Sequence, residues 1–124
     1  MFDMHNAERQ NAGVAPLALD GGVQAVARQR ASDMARTGEF THEPTQSDRY
    51  TVLLDRAGVS RRLSGENIAW NSYGLDRTVR VAMDGLMDSS GHRANILRSS
   101  FTHVGIGIVS QGGRTYFAIV FIGR

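Results

Sequence analysis

Near its C-terminus the chain carries the run Thr115-Tyr-Phe-Ala-Ile-Val-Phe-Ile122, which is apolar at odd and even positions alike. Successive side chains of a strand point to opposite faces, so a strand of this kind needs cover on both. Just before it, Val104, Ile106 and Ile108 alternate with small or polar residues, and Ser110-Gln-Gly-Gly113 supplies turn chemistry. An antiparallel hairpin buried between helical layers is the consequence. The prediction is an α+β chain, built as a three-layer α-β-α sandwich around a central antiparallel sheet of three to four strands.

The rest of the chain supplies the layers. Residues 2–13 are rich in helix formers and stop at Gly13. Asp20 offers an N-cap to a second helix, in which Val23, Val26, Ala27, Ala31 and Met34 recur at helical spacing until Gly38. Ser47 opens a third, with Tyr50, Leu53, Leu54 and Ala57 on one face and Gly58 as its stop. Asp76 is expected to cap a fourth, striped by Val79, Ala82, Met83 and Leu86, and Ser89 or Ser90 a short fifth running to Leu97. Residues 68–70 have the character of a short strand.

With 124 residues, no linker and no repeat, residues 1–124 read as a single domain. A core of that size folds without a metal, so any bound metal is functional and not a staple. The absence of cysteine excludes a disulfide framework, a thiolate zinc site and a thiol nucleophile. All 14 basic residues are arginine, yet they are scattered from Arg9 to Arg124 and only Arg61 and Arg62 adjoin. Such scatter argues against nucleic acid and anionic membrane as partners. No transmembrane segment is expected, because no stretch approaches the ~20 apolar residues that a span requires. The first residues show no signal peptide.

Three phrases concentrate residues that bind or catalyse: Gly38-Glu-Phe-Thr-His42, Gly65-Glu-Asn-Ile-Ala69 and Ser89-Ser-Gly-His-Arg-Ala-Asn-Ile-Leu97. Each lies just outside an expected element, where side chains distant in sequence can converge. A lone histidine is more often a satisfied structural residue, so neither His42 nor His92 points to a site by itself. Ser89, His92 and Glu66 invite a Ser-His-Glu hydrolase reading. A serine before a short helix is what capping requires, however, and its place beside His92 on one turn suits attack poorly.

These phrases, together with Asn6-Ala-Glu-Arg9, Pro16-Leu-x-Leu-Asp20, Ala31-Ser-Asp-Met-Ala35 and Phe101-Thr-x-Val-Gly-Ile-Gly107, resemble the CAP superfamily (the SCP or PR-1-like fold) in its bacterial, cysteine-free branch. The resemblance runs along nearly the whole chain. It implies an α-β-α sandwich, an extracellular or cell-envelope location, and a central cavity lined by two histidines and acidic residues that in several members holds a divalent metal. Position by position, the cavity histidines and candidate metal ligands are His42 and His92, and the cavity glutamate is Glu66. Where many eukaryotic members carry Trp-Tyr-x-Glu, this chain reads Leu86-Met-Asp-Ser89. Ser89 thus stands in place of the second carboxylate.

On that resemblance, two imidazoles suit Zn²⁺ or another divalent metal, with Glu66 as third ligand, ring-orienting partner or base on metal-bound water. Glu66 equally suits a structural role, pinning sheet to helices. The favoured reading is a ligand-binding module for a lipid-like or cell-envelope small molecule. A metal-dependent hydrolase, with Glu66 as its candidate catalytic group, and a structural or partner-binding domain are the alternatives. Trp70 and Tyr73 are expected to contact the ligand, Arg93 to bind an anionic group beside the pocket, Phe40 to belong to the core, and His5 to sit on the surface.

Overall fold

The computed structural model describes all 124 residues. Five helices, α1 (Phe2–Asn11), α2 (Gly21–Thr37), α3 (Tyr50–Arg56), α4 (Thr78–Asp88) and α5 (Ser90–Leu97), flank four strands: β1 (Ala18–Leu19), β2 (Leu63–Asn71), β3 (His103–Gln111) and β4 (Arg114–Gly123). The sheet order is β1-β3-β4-β2. The three long strands are antiparallel as expected, and the two-residue β1 adds to β3 in parallel, so the sheet is mixed.

The doubly apolar run forms β4, near the middle of the sheet. Its Phe117, Ile119 and Phe121 pack with Ala82, Met83, Leu86 and Ile96 of α4 and α5. Val120 and Ile122 face the other layer, against Val23, Val26 and Ala27 of α2 and Leu54 of α3. Helix α2 presses directly on β3: a Cβ on Gly107 would lie 2.1 Å from the Ala27 carbonyl oxygen, and one on Gly105 would lie 2.4 Å from the Val23 backbone. Only glycine admits so close a crossing.

Local signals of fixed offset hold in α2. The Asp20 carboxylate accepts the Val23 N–H at 2.9 Å, and Gly38 ends the helix at φ 76°. Elsewhere they fail. α3 begins at Tyr50 and α4 at Thr78, neither with a side-chain cap, so Ser47 and Asp76 do not serve as caps. β2 is nine residues long, because β4 pairs it from Leu63↔Gly123 to Asn71↔Thr115; its polar Ser64, Glu66 and Asn67 masked the pattern.

His5 is buried and not on the surface. Its Nδ1–H donates to the Met1 carbonyl at 3.0 Å, its Nε2 has no partner, and its ring lies 6.0 Å from that of Phe121. Burial, aided by the Met1 amino group and Arg9, pushes its pKa down to about 4 against the hydrogen bond to Met1. The unfolded chain therefore binds the extra proton first, and stability that is full above the ordinary pKa of 6.5 is lost as the pH falls toward 4. The expected loss is about 3 kcal/mol. Denaturant unfolding across that window checks it: His5→Leu should flatten the slope, and an unchanged slope would exclude His5 as its source.

Candidate functional site: a carboxylate-oriented histidine at the sheet edge

β2 is an outer strand of the sheet, bonded only to β4. Its alternation sends Glu66 toward the α2 layer and Asn67 toward α5. Beneath the edge, Arg30 of α2 grips Glu66 with its Nε 2.7 Å from Oε2 and its Nη2 3.1 Å from Oε1, and both side chains are fully buried. The same Nη2 donates to the Thr41 carbonyl at 2.7 Å, which ties down the connection after α2. That places His42, whose Nδ1 lies 2.7 Å from Glu66 Oε1.

The acceptor decides the tautomer. A carboxylate bound to a guanidinium accepts only, so Nδ1 carries the proton and a neutral His42 keeps its Nε2 lone pair free. The His42 side chain is 51% exposed, which leaves that nitrogen within reach of a ligand.

On the other side of the strand, Asn67 Nδ2 donates to the His92 carbonyl at 3.0 Å, and its Oδ1 accepts from Asn95 at 2.9 Å. The start of α5 is thereby locked to β2. His92 Nδ1 meets Ser89 Oγ at 2.8 Å. Ser89 occupies the N-cap position of α5, yet its side chain caps no backbone N–H and addresses the imidazole instead. Burial first, and the nearby charge of His42 second, hold the His92 pKa below its ordinary value. His92 is thus predominantly neutral at neutral pH.

An open cleft of about 380 Å³ lies against this edge, lined by Phe40, Ile68, Trp70, Val81, Leu86, Ser89 and His92 among others. Its wall is apolar, and Ser89 and His92 form a polar part of it. Phe40 is 44% exposed and belongs to this wall, not to the core. A larger hollow of about 620 Å³ between α1 and residues 13–16 contains neither histidine.

His42 and Glu66 are in direct contact, whereas His92 lines the cleft and His42 does not. Glu66 lies beneath the cleft and does not line it. Trp70 lines it; Tyr73 and Arg93 do not. The Tyr73 ring lies under the Arg77 guanidinium at 5.0 Å, and Arg93 donates to the Met87 carbonyl at 3.3 Å. The residue that sequence reasoning missed is Arg30. Its signal was present, because Arg30 falls on the buried stripe of Val23, Val26, Ala27, Ala31 and Met34, where an unpaired cation has no place.

No three His, Asp or Glu side chains come together as a metal cage. His42 and His92 are each held through Nδ1, by Glu66 and Ser89 respectively, and neither Nε2 has a hydrogen-bond partner within the protein. Both Glu66 oxygens are engaged and enclosed, so the carboxylate is not poised to take a proton from water.

An α-β-α sandwich whose edge strand holds one histidine by a buried carboxylate and whose cleft is lined by another defines the class of domain. The chain belongs to the cysteine-rich secretory protein (CAP) family, which matches it over residues 2–122. It is 35% identical to the uncharacterized protein YkwD of Bacillus subtilis (strain 168) over 125 aligned positions, covering 100% of this chain and 46% of YkwD. The crystal structure of an extracellular protein containing a SCP domain from Bacillus anthracis str. Ames superposes with a TM-score of 0.88 at 29% identity, over 99% of this chain and 39% of that one. The crystal structure of NaASP2 with Zn²⁺ shares the fold, with a TM-score of 0.69 at 12% identity over 99% of this chain and 80% of that one. The chain thus spans less than half of YkwD and of the B. anthracis protein.

Proposed function

We propose that this is an extracytoplasmic binding module, whose cleft takes a small amphipathic or cell-envelope ligand and whose two histidines hold a divalent metal beside it. The observation that carries the reading is the juxtaposition of an apolar wall with the oriented His92 imidazole, whose pKa burial holds below its ordinary value. Wide, apolar clefts with a few convergent polar groups are what small ligands occupy, and about 380 Å³ lies within the usual range. The extracellular setting of the B. anthracis relative supports the location. Glu66 is enclosed, which weighs against its role as base in a hydrolase.

For the metal, His42 Nε2 and His92 Nε2 would be the protein ligands, and His92 Nδ1–H would donate to Ser89. Zn²⁺ held this way supplies Lewis acidity and exchangeable positions for a ligand group, since two imidazoles leave its tetrahedral shell open. The NaASP2 structure with Zn²⁺ supports the choice of ion. Calorimetric titration of Zn²⁺ should give heat for the wild type and none for His92→Ala, while Glu66→Gln, still folded, should bind about 10–100-fold more weakly. Equal heats for wild type and His92→Ala would place any metal elsewhere.

The cleft has its own test. Gly85 lines it, and a Cβ there meets nothing within 4 Å, so Gly85→Leu should fill the cleft without disturbing the core. Fluorescence of the apolar dye anilinonaphthalene sulfonate should rise with wild type and fall about tenfold in affinity with Gly85→Leu, the equivalent of one buried aliphatic side chain. Dye binding that ignores the substitution would remove the cleft from the proposal.

A further inference from the structure

Exposed large hydrophobic side chains on this protein are not scattered. Of the six, Leu19, Phe40, Trp70, Tyr73, Leu75 and Ile108, a group of three lies on one short stretch that runs from the end of β2 into its connection to α4. Leu75 is 82% exposed, Tyr73 48% and Trp70 40%. A leucine so bare at a loop tip gains nothing in water, and clustered apolar exposure marks a contact surface.

Two arginines are built into the same rim. The Arg114 guanidinium lies 4.4 Å from the centre of the Trp70 ring, and that of Arg77 5.0 Å from the centre of the Tyr73 ring. Neither is in an ion pair, and neither donates a side-chain hydrogen bond within the protein. Neither neighbouring acid is paired with them: the Asp76 carboxylate lies over Gly74, and Asp84 faces Arg80 at 3.9 Å. Arg77 and Arg114 come from distant parts of the chain, which is why the arginines look scattered in sequence.

We propose that this rim, Trp70, Tyr73, Leu75, Arg77 and Arg114, docks the domain onto a bilayer surface rich in anionic lipid. Tryptophan and tyrosine suit the headgroup level, a bare leucine suits the acyl boundary just below it, and the two guanidinium groups match lipid phosphates. Leu75 is what selects a bilayer over a soluble polyanion, because a polyanion offers no apolar slot for it. The docked rim adjoins the cleft through Trp70, so a ligand drawn from the membrane would enter at the contact.

Trp70 is the only tryptophan, so its emission reports on the rim and on the cleft edge that adjoins it. The experiment mixes the protein with vesicles of phosphatidylcholine, or of phosphatidylcholine and phosphatidylglycerol in equal parts, and follows co-sedimentation and Trp70 emission. Binding with a blue shift is expected only with the anionic vesicles, and added salt should weaken it. Leu75→Asp should reduce affinity about tenfold or more, as should Arg77→Gln combined with Arg114→Gln. Leu75 lies outside the cleft and core, so its variant should unfold and take up dye like wild type, which separates lost docking from a lost cleft. Absence of binding, equal binding to neutral vesicles, or wild-type binding by Leu75→Asp would each overturn the proposal.

Discussion

Glu66→Ala is expected to lower the unfolding free energy by about 3–5 kcal/mol, because it leaves the Arg30 guanidinium buried without its counter-charge. Arg30 would keep one bond to the Thr41 carbonyl, and its Nη1 already lacks a partner. The pair is not thereby a large net stabiliser. Two charges removed from water lose much of what their attraction returns, so replacing both together with apolar groups, as in Arg30→Met with Glu66→Leu, should recover most of the loss. Denaturant unfolding of the two single variants and the double variant measures this coupling. Additive losses would mean that the ion pair does not hold the edge together. His42 provides a second readout, since its ring loses its orienting partner in Glu66→Ala and should gain mobility in nuclear magnetic resonance.

Arg9→Met is expected to be about as damaging, on the order of 4 kcal/mol, for a different reason. Arg9 is fully buried with no carboxylate beside it; its donors go to four backbone carbonyls, those of Ala15, Ile96, Arg98 and Phe101, at 2.7–3.0 Å. Burial lowers its pKa, as desolvation of a cation should. Substitution would orphan carbonyls at the end of α5 and ahead of β3, and would unfasten α1 from both. Arg9→Lys should not rescue, because three donors on one nitrogen cannot span acceptors that a planar fork reaches. Thermal unfolding of Arg9→Met and Arg9→Lys checks the pair, and a loss below about 1 kcal/mol would show that water replaces the fork. Against a typical total of about 5–15 kcal/mol, either expected loss is a large share.

How much was legible in the sequence depended on the range of the signal. Asp20 and Gly38 act on neighbours three and four residues away through backbone geometry, and both ends of α2 were readable from residue type. The layered architecture followed from β4, whose two apolar faces permit no open side. His42, Glu66 and His92 were singled out by their motifs, whereas Arg30 was not, although it sits on the helical stripe already identified. Periodicity marks which positions face inward and does not say with what a charge there is paired. His5 was misplaced for a related reason: one histidine on a short polar helix carries no sign of burial, and the Phe121 ring that covers it comes from the opposite end of the chain.

By itself, then, the sequence determined the helices, the terminal hairpin, their layering and the family, because hydrophobic period and turn residues act over a few positions. Tertiary structure decided the chemistry of the site. Glu66 is a ring-orienting partner and not an exposed base because Arg30, 36 residues away, takes both its oxygens. Ser89 serves His92 instead of the helix end because Asn67 fixes α5 against the strand. Arg9 becomes a clasp only when carbonyls 87 to 92 residues distant are brought around it. Such pairings depend on packing and on which buried polar groups remain to be satisfied, and no local spacing encodes them.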